Sequence, residues 1–283
     1  MAEEFIPKHP VIVAYPKVPE TFTEAAEIVK YLHLRGIEAP QGSIYDESLR
    51  GRLKAGEFDL LIALGGDGTM LRAGHLCAPY GVPILGIKLG RLGFMIQVNR
   101  DEWHEMFERL FKGEAWLENR MMLSVQHTRA GEPLAQWQAL NEAVVGRGAL
   151  LRPVRLAASV DGRELTTFVC DGLIAATATG STAYALAAGG PILPPDLRNI
   201  LIVPIAPHLS VDRAVVLSEG ATVSITVKSE NTIVSVDGQS PISLDIDDHV
   251  DVCAAEYTVR FVRFGDPGYF YRNLNAHMNQ PHL

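Results

Sequence analysis

The sequence predicts an N-terminal α/β domain with a parallel sheet, followed by a β-rich domain of antiparallel, sandwich-like architecture. Three observations support this prediction. The chain has 283 residues, of which 47% are hydrophobic, enough to bury the cores of two domains. Strands alternate with helices from residue 11 to about 112, and closely spaced strands with few helices follow. We expect domains at 1–118 and 119–265, with 266–283 able to pack back on the first.

In the first domain, short apolar runs alternate with segments of helical spacing. The runs at 11–15, 59–64 and 83–87 read as buried strands, and 21–34 and 103–110 read as helices. Gly36 is expected to end the first helix. Ligands bind parallel sheets at the carboxyl ends of the strands, so we expect a site at that edge.

The second domain is predicted from its short strand-like runs and turn residues. These runs are 123–127, 138–145, 154–160, 164–168, 222–227, 232–236, 249–253 and 257–264. The Asp161-Gly162 pair is a strong hairpin signal between two of them. The segment 269–279 mixes aromatic and polar residues and is expected to form a last helix.

Composition limits the possible partners. The net charge is −8 and no block of five like charges occurs, so we expect neither nucleic-acid nor membrane binding. Cys77, Cys170 and Cys253 are far apart and have no metal-ligand spacing, as expected for buried thiols in a reducing compartment. The acidic start lacks an apolar signal segment, and no stretch reaches the length of a membrane span. We therefore expect a cytoplasmic protein.

A Gly-Gly-Asp-Gly-Thr run at 65–69 directly follows a predicted buried strand. Its glycines permit a sharp turn and a close approach of backbone N–H groups to a ligand, and we expect Gly66 to need this freedom. Thr69 is expected to cap the following helix, whose N-terminus favours an anion. Strand, glycine loop and helix together are typical of phosphate binding. The run is not the common phosphate loop, because Gly-x-x-x-x-Gly-Lys-Ser/Thr is absent from the sequence.

Asp67 needs a separate explanation, because a carboxylate in a phosphate-holding loop repels the phosphate. It could accept a proton from an attacking hydroxyl, or reach phosphate through a metal ion. The alternative is an Asp-Gly turn that only shapes the chain. The position of the run, directly after a buried strand, favours a functional role.

Two further stretches are candidates for a ligand site. Asn141 and Glu142 are adjacent in a strand pattern, so their side chains point to opposite faces and at least one faces the core or a cleft. An edge strand with a solvated glutamate explains the pair equally well. The stretch 171–184 combines an Asp-Gly pair, a buried strand and small hydroxyl residues, with Thr182 and Tyr184 suited to a nucleotide base. A capped surface helix is the alternative.

Taken in order, these motifs resemble those of NAD kinases. The Gly-Gly-Asp-Gly-Thr run alone is shared with diacylglycerol and sphingosine kinases and with phosphofructokinases, but diacylglycerol-type kinases lack the Thr-Gly-Ser-Thr-Ala-Tyr loop. The resemblance runs from about residue 11 to 274. The motifs that carry it are 65–69, 90–94, 141–142, 171–172, 179–184, 207–208 with Arg213, and 236–239.

The resemblance implies phosphorylation of the 2′-OH of the adenosine ribose of NAD, with ATP or polyphosphate as donor. It implies a site between the two domains, with Asp67 catalytic and beside the hydroxyl, and Asp171 at the nicotinamide end. Mg²⁺ or another divalent metal would sit on the donor phosphates without a dedicated protein site. Family members are homo-oligomers, dimers or tetramers. The nucleotide-binding residues implied are Gly66, Gly68, Thr69, Arg72, Asn141, Glu142, Asp171, Thr179, Ser181, Thr182, Ala183, Tyr184, His208, Asp237 and Gln239.

The chain departs from the family pattern at four positions. Lys88 stands where Asn is usual, Gln97 where Glu is common, and Ala178 where Pro is frequent. Val169 lies where family members vary, which leaves NAD and NADH both open as substrates. A lipid kinase is an alternative that the acidic charge disfavours. A non-catalytic dinucleotide sensor is another, although a sensor would not need Asp67.

Overall fold

The structure is a computed structural model that describes residues 5–89, 93–150, 152–208 and 212–278. Two compact units are formed within these ranges. The described residues of Met1–Asn119 and Thr258–Leu283 make the first unit, and those of Arg120–Tyr257 make the second. The strand that ends at Phe264 and the last helix therefore belong to the first unit. No described helix is long and apolar enough to cross a membrane.

The first unit alternates strands and helices along the chain. Its strand β1 is buried at every position, as is typical of parallel sheets covered on both faces. The elements in order are β1 (Pro10–Ala14), α1 (Glu20–His33), β2 (Gln41–Ser43), α2 (Glu47–Lys54), β3 (Leu60–Gly65), α3 (Asp67–Cys77), β4 (Ile84–Lys88), β5 (Val98–Asn99) and α4 (Trp103–Phe111).

Two long strands, β6 and β17, contribute residues to both units. The second unit otherwise consists almost entirely of strands. The remaining elements are β6 (Ala115–Arg129), β7 (Glu132–Ala139), β8 (Glu142–Arg147), β9 (Val154–Val160), β10 (Arg163–Cys170), β11 (Gly172–Ala176), α5 (Tyr184–Ala187), β12 (Asn199–Ile205), β13 (Val215–Ser218), β14 (Val223–Val227), β15 (Thr232–Val236), β16 (Ile242–Leu244), β17 (His249–Phe264) and α6 (Tyr269–Met278).

In the first unit the strands pair in the order β2-β1-β3-β4, and every pairing is parallel. The second half of β17 joins the sheet beside β4, where Phe261 lies opposite Ile84. Helices α1 and α4 pack their apolar faces on this sheet through residues such as Ile28 and Phe107. The carboxyl ends of β3 and β4 lie side by side, with Gly65 opposite Lys88.

The second unit contains two antiparallel layers. One layer has the order β13-β12-β11-β8-β15-β16, and the other joins β10, β9, β14 and the first half of β17. Side chains of both layers meet in one core that includes Phe168, Leu173 and Ile225. The β9–β10 turn has Asp161 and Gly162 at φ +50° and +74°, as its hairpin signal predicted. The predicted fold class, α/β followed by β-rich, is confirmed.

Several elements differ from the sequence prediction. The run 138–145 is two strands, because β7 ends at Ala139 and β8 begins at Glu142. The runs 249–253 and 257–264 are one continuous strand, β17. Helix α2 was missed, since it buries only Leu49 and Leu53 and shows little apolar periodicity. Strand β12 was also missed.

The last helix is fixed to the first unit through a buried carboxylate. The Tyr269 hydroxyl contacts both carboxylate oxygens of Glu118, at 3.1 and 3.2 Å. Arg263 Nε donates to the same carboxylate at 2.8 Å, and its side chain is almost completely buried. A buried charge of this kind is tolerated because an opposite charge and hydrogen bonds compensate it. The start of α6 is thereby held against β6.

A second buried carboxylate, Asp248, organises one edge of the second unit. It contacts His127 Nε2 at 2.8 Å and accepts two hydrogen bonds from Arg129, at 2.8 and 2.9 Å. The backbone N–H of Asp245 donates to it as well. The hydrogen bonds from Arg129 chiefly, with those from Asp245 and His127, hold the pKa of Asp248 well below its usual range.

We predict that Asp248→Asn lowers the free energy of unfolding at neutral pH by about 1–3 kcal/mol, because buried donors lose their ionic acceptor. The folded pKa lies below the ordinary value of 3.8, so this stabilisation is present above that value and disappears as the pH falls. Urea unfolding of both proteins at about pH 7 and about pH 3 tests this.

The control for this experiment is Asp247→Asn, which removes an exposed carboxylate paired with Lys228. Exposed ion pairs contribute little, so this variant should be nearly as stable as the wild type. Equal stability of the two variants at neutral pH would contradict the role assigned to Asp248.

Candidate active site

The glycine loop joins β3 to α3 at the carboxyl edge of the parallel sheet. Gly66 precedes the helix with extended backbone, φ −115° and ψ −172°, and α3 begins at Asp67. The expectation that Thr69 caps this helix is wrong. Thr69 lies within the first turn, and its N–H donates to the Gly66 carbonyl at 2.8 Å. The first N–H groups of a helix lack partners within the helix, which suits an anion at this position.

The two glycines at the start of the loop have different structural roles. Gly65 has φ +157°, and a Cβ there would lie 2.3 Å from Thr69 Oγ1, so the fold itself requires glycine. Gly66 has no positive φ, and a Cβ there would meet no atom of the described residues within 4 Å. The conformational freedom that we expected at Gly66 is therefore needed at Gly65. Gly66 instead leaves open space at the tip of the loop.

The Asp67 carboxylate connects the loop to the second glycine turn. It accepts hydrogen bonds from the backbone N–H groups of Phe94, at 2.8 Å, and Met95, at 3.2 Å. A Cβ on Gly93 would lie 2.2 Å from the carboxylate, so glycine is required beside it. Gly90, Arg91 and Leu92 of the predicted turn lie outside the described residues. Each carboxylate oxygen can accept more than one hydrogen bond, so Asp67 is held in place and still able to bind a ligand.

Arg72 supplies a positive charge next to the loop. Its guanidinium donates to the Gly68 carbonyl at 2.7 Å. The same group lies 5.6 Å from the ring centroid of Tyr15 and 5.9 Å from that of Tyr45. The side chain is exposed, so its charge is accessible to a phosphate.

In the second unit, Asp237 stabilises the break in the chain between β7 and β8. Its carboxylate accepts from the N–H groups of Leu140, Asn141 and Glu142 at 2.7, 2.9 and 2.9 Å. Its own backbone has φ +47°. Asn141 therefore lies in the break between the two strands, and Glu142 is the first residue of β8. The expectation that both residues lie in the middle of one strand is wrong. In this structure Asp237 positions the pair through the backbone.

Glu142 is a buried acid whose pKa is raised. Its side chain is 92% buried relative to full exposure, and one carboxylate oxygen, Oε2, has no hydrogen-bond partner among the described residues. Burial and the nearby charge of Asp237 raise its pKa to about 7, despite a hydrogen bond from the Tyr184 N–H. Asn141 Oδ1 is also buried and has no hydrogen-bond partner in the part of the chain that the structure describes. These atoms can bind a ligand's hydroxyl or amine groups.

Thr177 and Gly180 fix the loop that follows β11, and neither was assigned a role of its own from the sequence, although both lie in the candidate stretch 171–184. Thr177 Oγ1 donates to the Leu140 carbonyl at 2.5 Å and accepts from the Gly180 N–H at 3.0 Å. A Cβ on Gly180 would lie 2.2 Å from the Asn141 carbonyl oxygen. The loop thus packs directly on the Asn141–Glu142 segment. The only sequence signal was the Thr-Ala-Thr-Gly series itself.

The predicted hydroxyl residues of this loop are mostly used within it. The Ser181 hydroxyl donates to the Ala178 carbonyl at 2.7 Å and accepts from the Leu193 N–H at 2.9 Å. Thr182 Oγ1 donates to the Thr179 carbonyl at 3.2 Å. These side chains shape the loop, whereas the ring of Tyr184 is 45% exposed and remains available for stacking. Ala183 has φ −100° and ψ −128° and connects the loop to α5.

A cavity of about 440 Å³ adjoins this loop, a size suited to a small ligand. Asp171 lines it and forms an ion pair with Arg147, Nε to Oδ1 3.2 Å. Arg147 was missed, because nothing near it in sequence marks the end of β8 as a site. Residues that line the cavity include Val144, Arg147, Asp171, Tyr184, Ile233 and Ser235.

The side chains of two predicted site residues, His208 and Gln239, have no described contact with the glycine loop, the Asn141–Glu142 segment or the residues that line the cavity. His208 is exposed, and its backbone N–H donates to the Val169 carbonyl at 2.7 Å. Gln239 makes backbone contacts, to the Val236 carbonyl and from the Ser235 hydroxyl. Residues 209–211, next to His208, lie outside the described part of the chain.

The departure at Gln97 has a structural explanation. Its amide Nε2 donates to the Phe264 carbonyl at 2.8 Å, and its Oε1 accepts from the Phe264 N–H at 3.0 Å. A glutamate could not make the first of these bonds, because an ionised carboxylate only accepts. Gln97 thus ties β17 to the segment before β5.

The glycine loop at a helix N-terminus and the fixed Asp67 carboxylate of the first unit fit a phosphotransferase, a kinase. Comparison with known proteins identifies which one. Residues 18–115 match the family model of the ATP-NAD kinase N-terminal domain, and residues 140–264 match that of the ATP-NAD kinase C-terminal domain. The chain therefore belongs to the NAD kinase family, and the family implied by its motifs is confirmed.

Individual relatives agree with this assignment. An NAD kinase of Chloroflexus aurantiacus is 40% identical over 255 residues, which cover 90% of this chain and 92% of that protein. An NAD kinase from Archaeoglobus fulgidus in complex with ATP is 27% identical, with a TM-score of 0.74 over 95% of this chain and 97% of that one. The yeast NADH kinase complexed with NADH is 24% identical, with a TM-score of 0.85 over 99% and 89% of the two chains, and supports the fold.

We predict that Glu142→Gln changes the pH dependence of stability. The folded pKa of about 7 lies above the ordinary value of 4.5, so folding favours the protonated acid. This favourable contribution is complete below the ordinary value and is lost as the pH rises through about 7. The wild type should therefore lose thermal stability between about pH 5 and about pH 8 relative to the variant, whose amide does not titrate.

Thermal unfolding of both proteins across this range checks the prediction. Glu256→Gln is the control, because Glu256 is exposed in the same unit. If the melting curves of wild type and Glu142→Gln shift in parallel with pH, Glu142 is not a buried titrating group.

Proposed function

We propose that the protein transfers the γ-phosphoryl group of ATP to the 2′-OH of the adenosine ribose of NAD, which gives NADP. The observation that carries this proposal is Asp67, a fixed carboxylate at the open tip of a glycine loop in a chain of the NAD kinase family. The ATP complex of the archaeal relative supports ATP as the donor class. The NADH complex of the yeast relative supports a nicotinamide dinucleotide as acceptor.

The two units contribute different parts of the reaction in this proposal. Gly66, Gly68 and Arg72 bind the donor phosphates by backbone N–H groups and by charge. Asn141 and Glu142 bind polar groups of the dinucleotide through oxygens that lack partners in the described chain. The exposed ring of Tyr184 offers a stacking surface for a base.

Asp67 accepts the proton of the attacking hydroxyl. A ribose hydroxyl is a poor nucleophile at neutral pH, and a positioned base contributes about 10²–10⁴-fold to the rate. The hydrogen bonds from Phe94 and Met95 fix the orientation of the carboxylate before the substrate arrives. Alignment of the two reactants supplies a further contribution of roughly 7–11 kcal/mol.

The residues present fit a divalent metal carried by the donor. The described residues contain no group of three or more His, Cys, Asp or Glu side chains that could hold a metal by themselves. Mg²⁺ commonly uses one or two carboxylates together with substrate phosphates and water, and Asp67 retains lone pairs for such a contact. When bound, the metal would neutralise charge on the donor phosphates. From the resemblance we also propose a cytoplasmic homo-oligomer.

The first test is Asp67→Asn, for which we predict a fall in kcat of about 10²–10⁴-fold that added Mg²⁺ does not restore. If Asp67 acted through a metal contact, higher Mg²⁺ would instead restore part of the rate of the variant. Asparagine also loses one of the two backbone hydrogen bonds that Asp67 accepts, so we expect a stability loss of about 1–3 kcal/mol. Steady-state NADP formation across a Mg²⁺ series, well below the melting temperature, measures the effect.

Asp59→Asn is the matched control for this loss of stability. Asp59 belongs to the same unit and also accepts two backbone hydrogen bonds, from Lys8 at 2.6 Å and His9 at 2.9 Å. It lies at the opposite end of β3 from the loop. The Asp59→Asn variant should lose stability but form NADP at the wild-type rate. A rate for Asp67→Asn within a few-fold of the control would reject the catalytic role of Asp67.

The second test is Gly66→Val, which fills the open space at the loop tip. The backbone of Gly66 suits any residue and no atom of the described residues lies within 4 Å of a Cβ there, so the variant should fold normally. Activity should fall by about 10²-fold, because the donor phosphates are displaced from alignment.

Two comparisons accompany this variant. Gly220→Val is the control, since a Cβ there also meets nothing within 4 Å. Gly65→Ala should instead be destabilised, because its Cβ would clash with Thr69 and because residue 65 has a positive φ. Normal turnover by a folded Gly66→Val protein would mean that no phosphate approaches this part of the loop.

A further inference from the structure

The first unit contains a second cavity, of about 340 Å³, at the amino ends of its strands. It lies next to Asp59, which directly precedes β3, and Pro83, which directly precedes β4. Strand β3 is six residues long and ends at the glycine loop, so the cavity lies about 20 Å from that loop at about 3.3 Å per residue. The cavity is therefore separate from the donor-phosphate site proposed above.

Arg260 brings an available positive charge to this cavity. No hydrogen bond or ion pair to its guanidinium occurs among the described residues. The group lies over Gly81, where a Cβ would be 2.8 Å from Nη2 and where φ is +62°. Glycine at this position therefore leaves room for the arginine. The Asp59 carboxylate lines the same cavity and accepts the N–H groups of Lys8 and His9, but among the described residues it forms no ion pair with Arg260.

Aromatic rings form much of the remaining wall. Phe58 is almost completely buried, whereas the ring of Tyr80 is 44% exposed and borders the opening. Phe5 and Leu117 complete the apolar lining. Flat rings bind well against such side chains, and a guanidinium binds carboxylate or phosphate through two parallel hydrogen bonds.

We propose that this cavity binds a small molecule that carries one flat ring and one carboxylate or phosphate group. The anionic group contacts Arg260, and the ring packs against Tyr80 and Phe58. The volume lies at the lower end of small-molecule sites, which matches a ligand with a single ring system. This site is independent of the kinase reaction, because the ring compound and the donor phosphates bind at opposite ends of β3.

Isothermal titration calorimetry on the full chain, with phenyl phosphate, benzoate and inorganic phosphate as probes, tests the proposal. Chelator, ATP and NAD are present throughout, so that the kinase site is filled and turnover is prevented. We expect phenyl phosphate, benzoate or both to bind, and inorganic phosphate to bind at least about tenfold more weakly. The preferred ring compound identifies the anionic group.

Arg260→Met should weaken binding of the ring compound at least about tenfold, because it removes the charge but keeps an apolar side chain of similar length. Tyr80→Leu should also weaken it, and because Tyr80 is half exposed this variant should fold even if Arg260→Met does not. Arg163→Met, at an exposed position in the second unit, is the matched control and should bind like the wild type.

Three outcomes would overturn the proposal. They are the absence of binding by both ring compounds, binding unaffected by the Arg260 and Tyr80 variants, and equal affinity for inorganic phosphate. Because the readout is binding in the presence of ATP and NAD, failure here leaves the kinase proposal standing. Loss of kinase activity in other variants likewise leaves this site unaffected.

Discussion

The Asp67 carboxylate determines the geometry of the candidate active site in the first unit. It accepts N–H groups of Phe94 and Met95, which are 27 and 28 residues further along the chain. Through these bonds the loop after β3 and the segment after β4 are held together at one edge of the sheet. A side chain at Gly93 would push the carboxylate away. The carboxylate that stabilises the turn is therefore the one to which we assign the proton transfer, so a structural role and the proposed catalytic role coincide in one residue.

Asp237 plays a comparable part in the second unit. It accepts three successive N–H groups at an interruption between strands, and the nearest of these residues in sequence is 95 positions away. A carboxylate that satisfies exposed backbone donors allows an ordered break within an otherwise regular layer. The break turns Glu142 inward and leaves one of its oxygens without a partner in the described chain. Burial chiefly, together with the negative charge of Asp237, raises the pKa of Glu142, so Asp237 contributes to both the position and the acidity of this residue.

Local sequence patterns predicted the features that depend on neighbouring residues. The buried strand before Gly65, the hairpin at Asp161 and the helix at Trp103 each follow from spacing within a few residues. The interruption at Leu140 could not be predicted in this way, because the residues 138–145 read as one strand and the acceptor, Asp237, lies far along the chain. Thr69 was wrongly expected to be a cap, since Gly66 already has the extended backbone that starts the helix.

The same limit applies to the candidate site. Asp67 was selected as a candidate because its neighbours in sequence are typical of a phosphate-holding turn. Arg147 was missed because its partner, Asp171, is brought close only by the pairing of β8 with β11. The roles of Ser181 and Thr182 within their own loop also depend on carbonyl positions that sequence spacing does not give.

The shared strands β6 and β17 have a consequence for how the chain is made. The first unit is discontinuous in sequence, because its strand Thr258–Phe264 is synthesised after the entire second unit. Gln97 meets its partner Phe264 only across 167 intervening positions. Closing such long loops slows folding, and units generally form in the order in which they leave the ribosome. The nascent second unit can thus complete its core first, while β4, paired on this side only with the short strand β5, waits for Thr258–Phe264 to complete the sheet that carries the glycine loop.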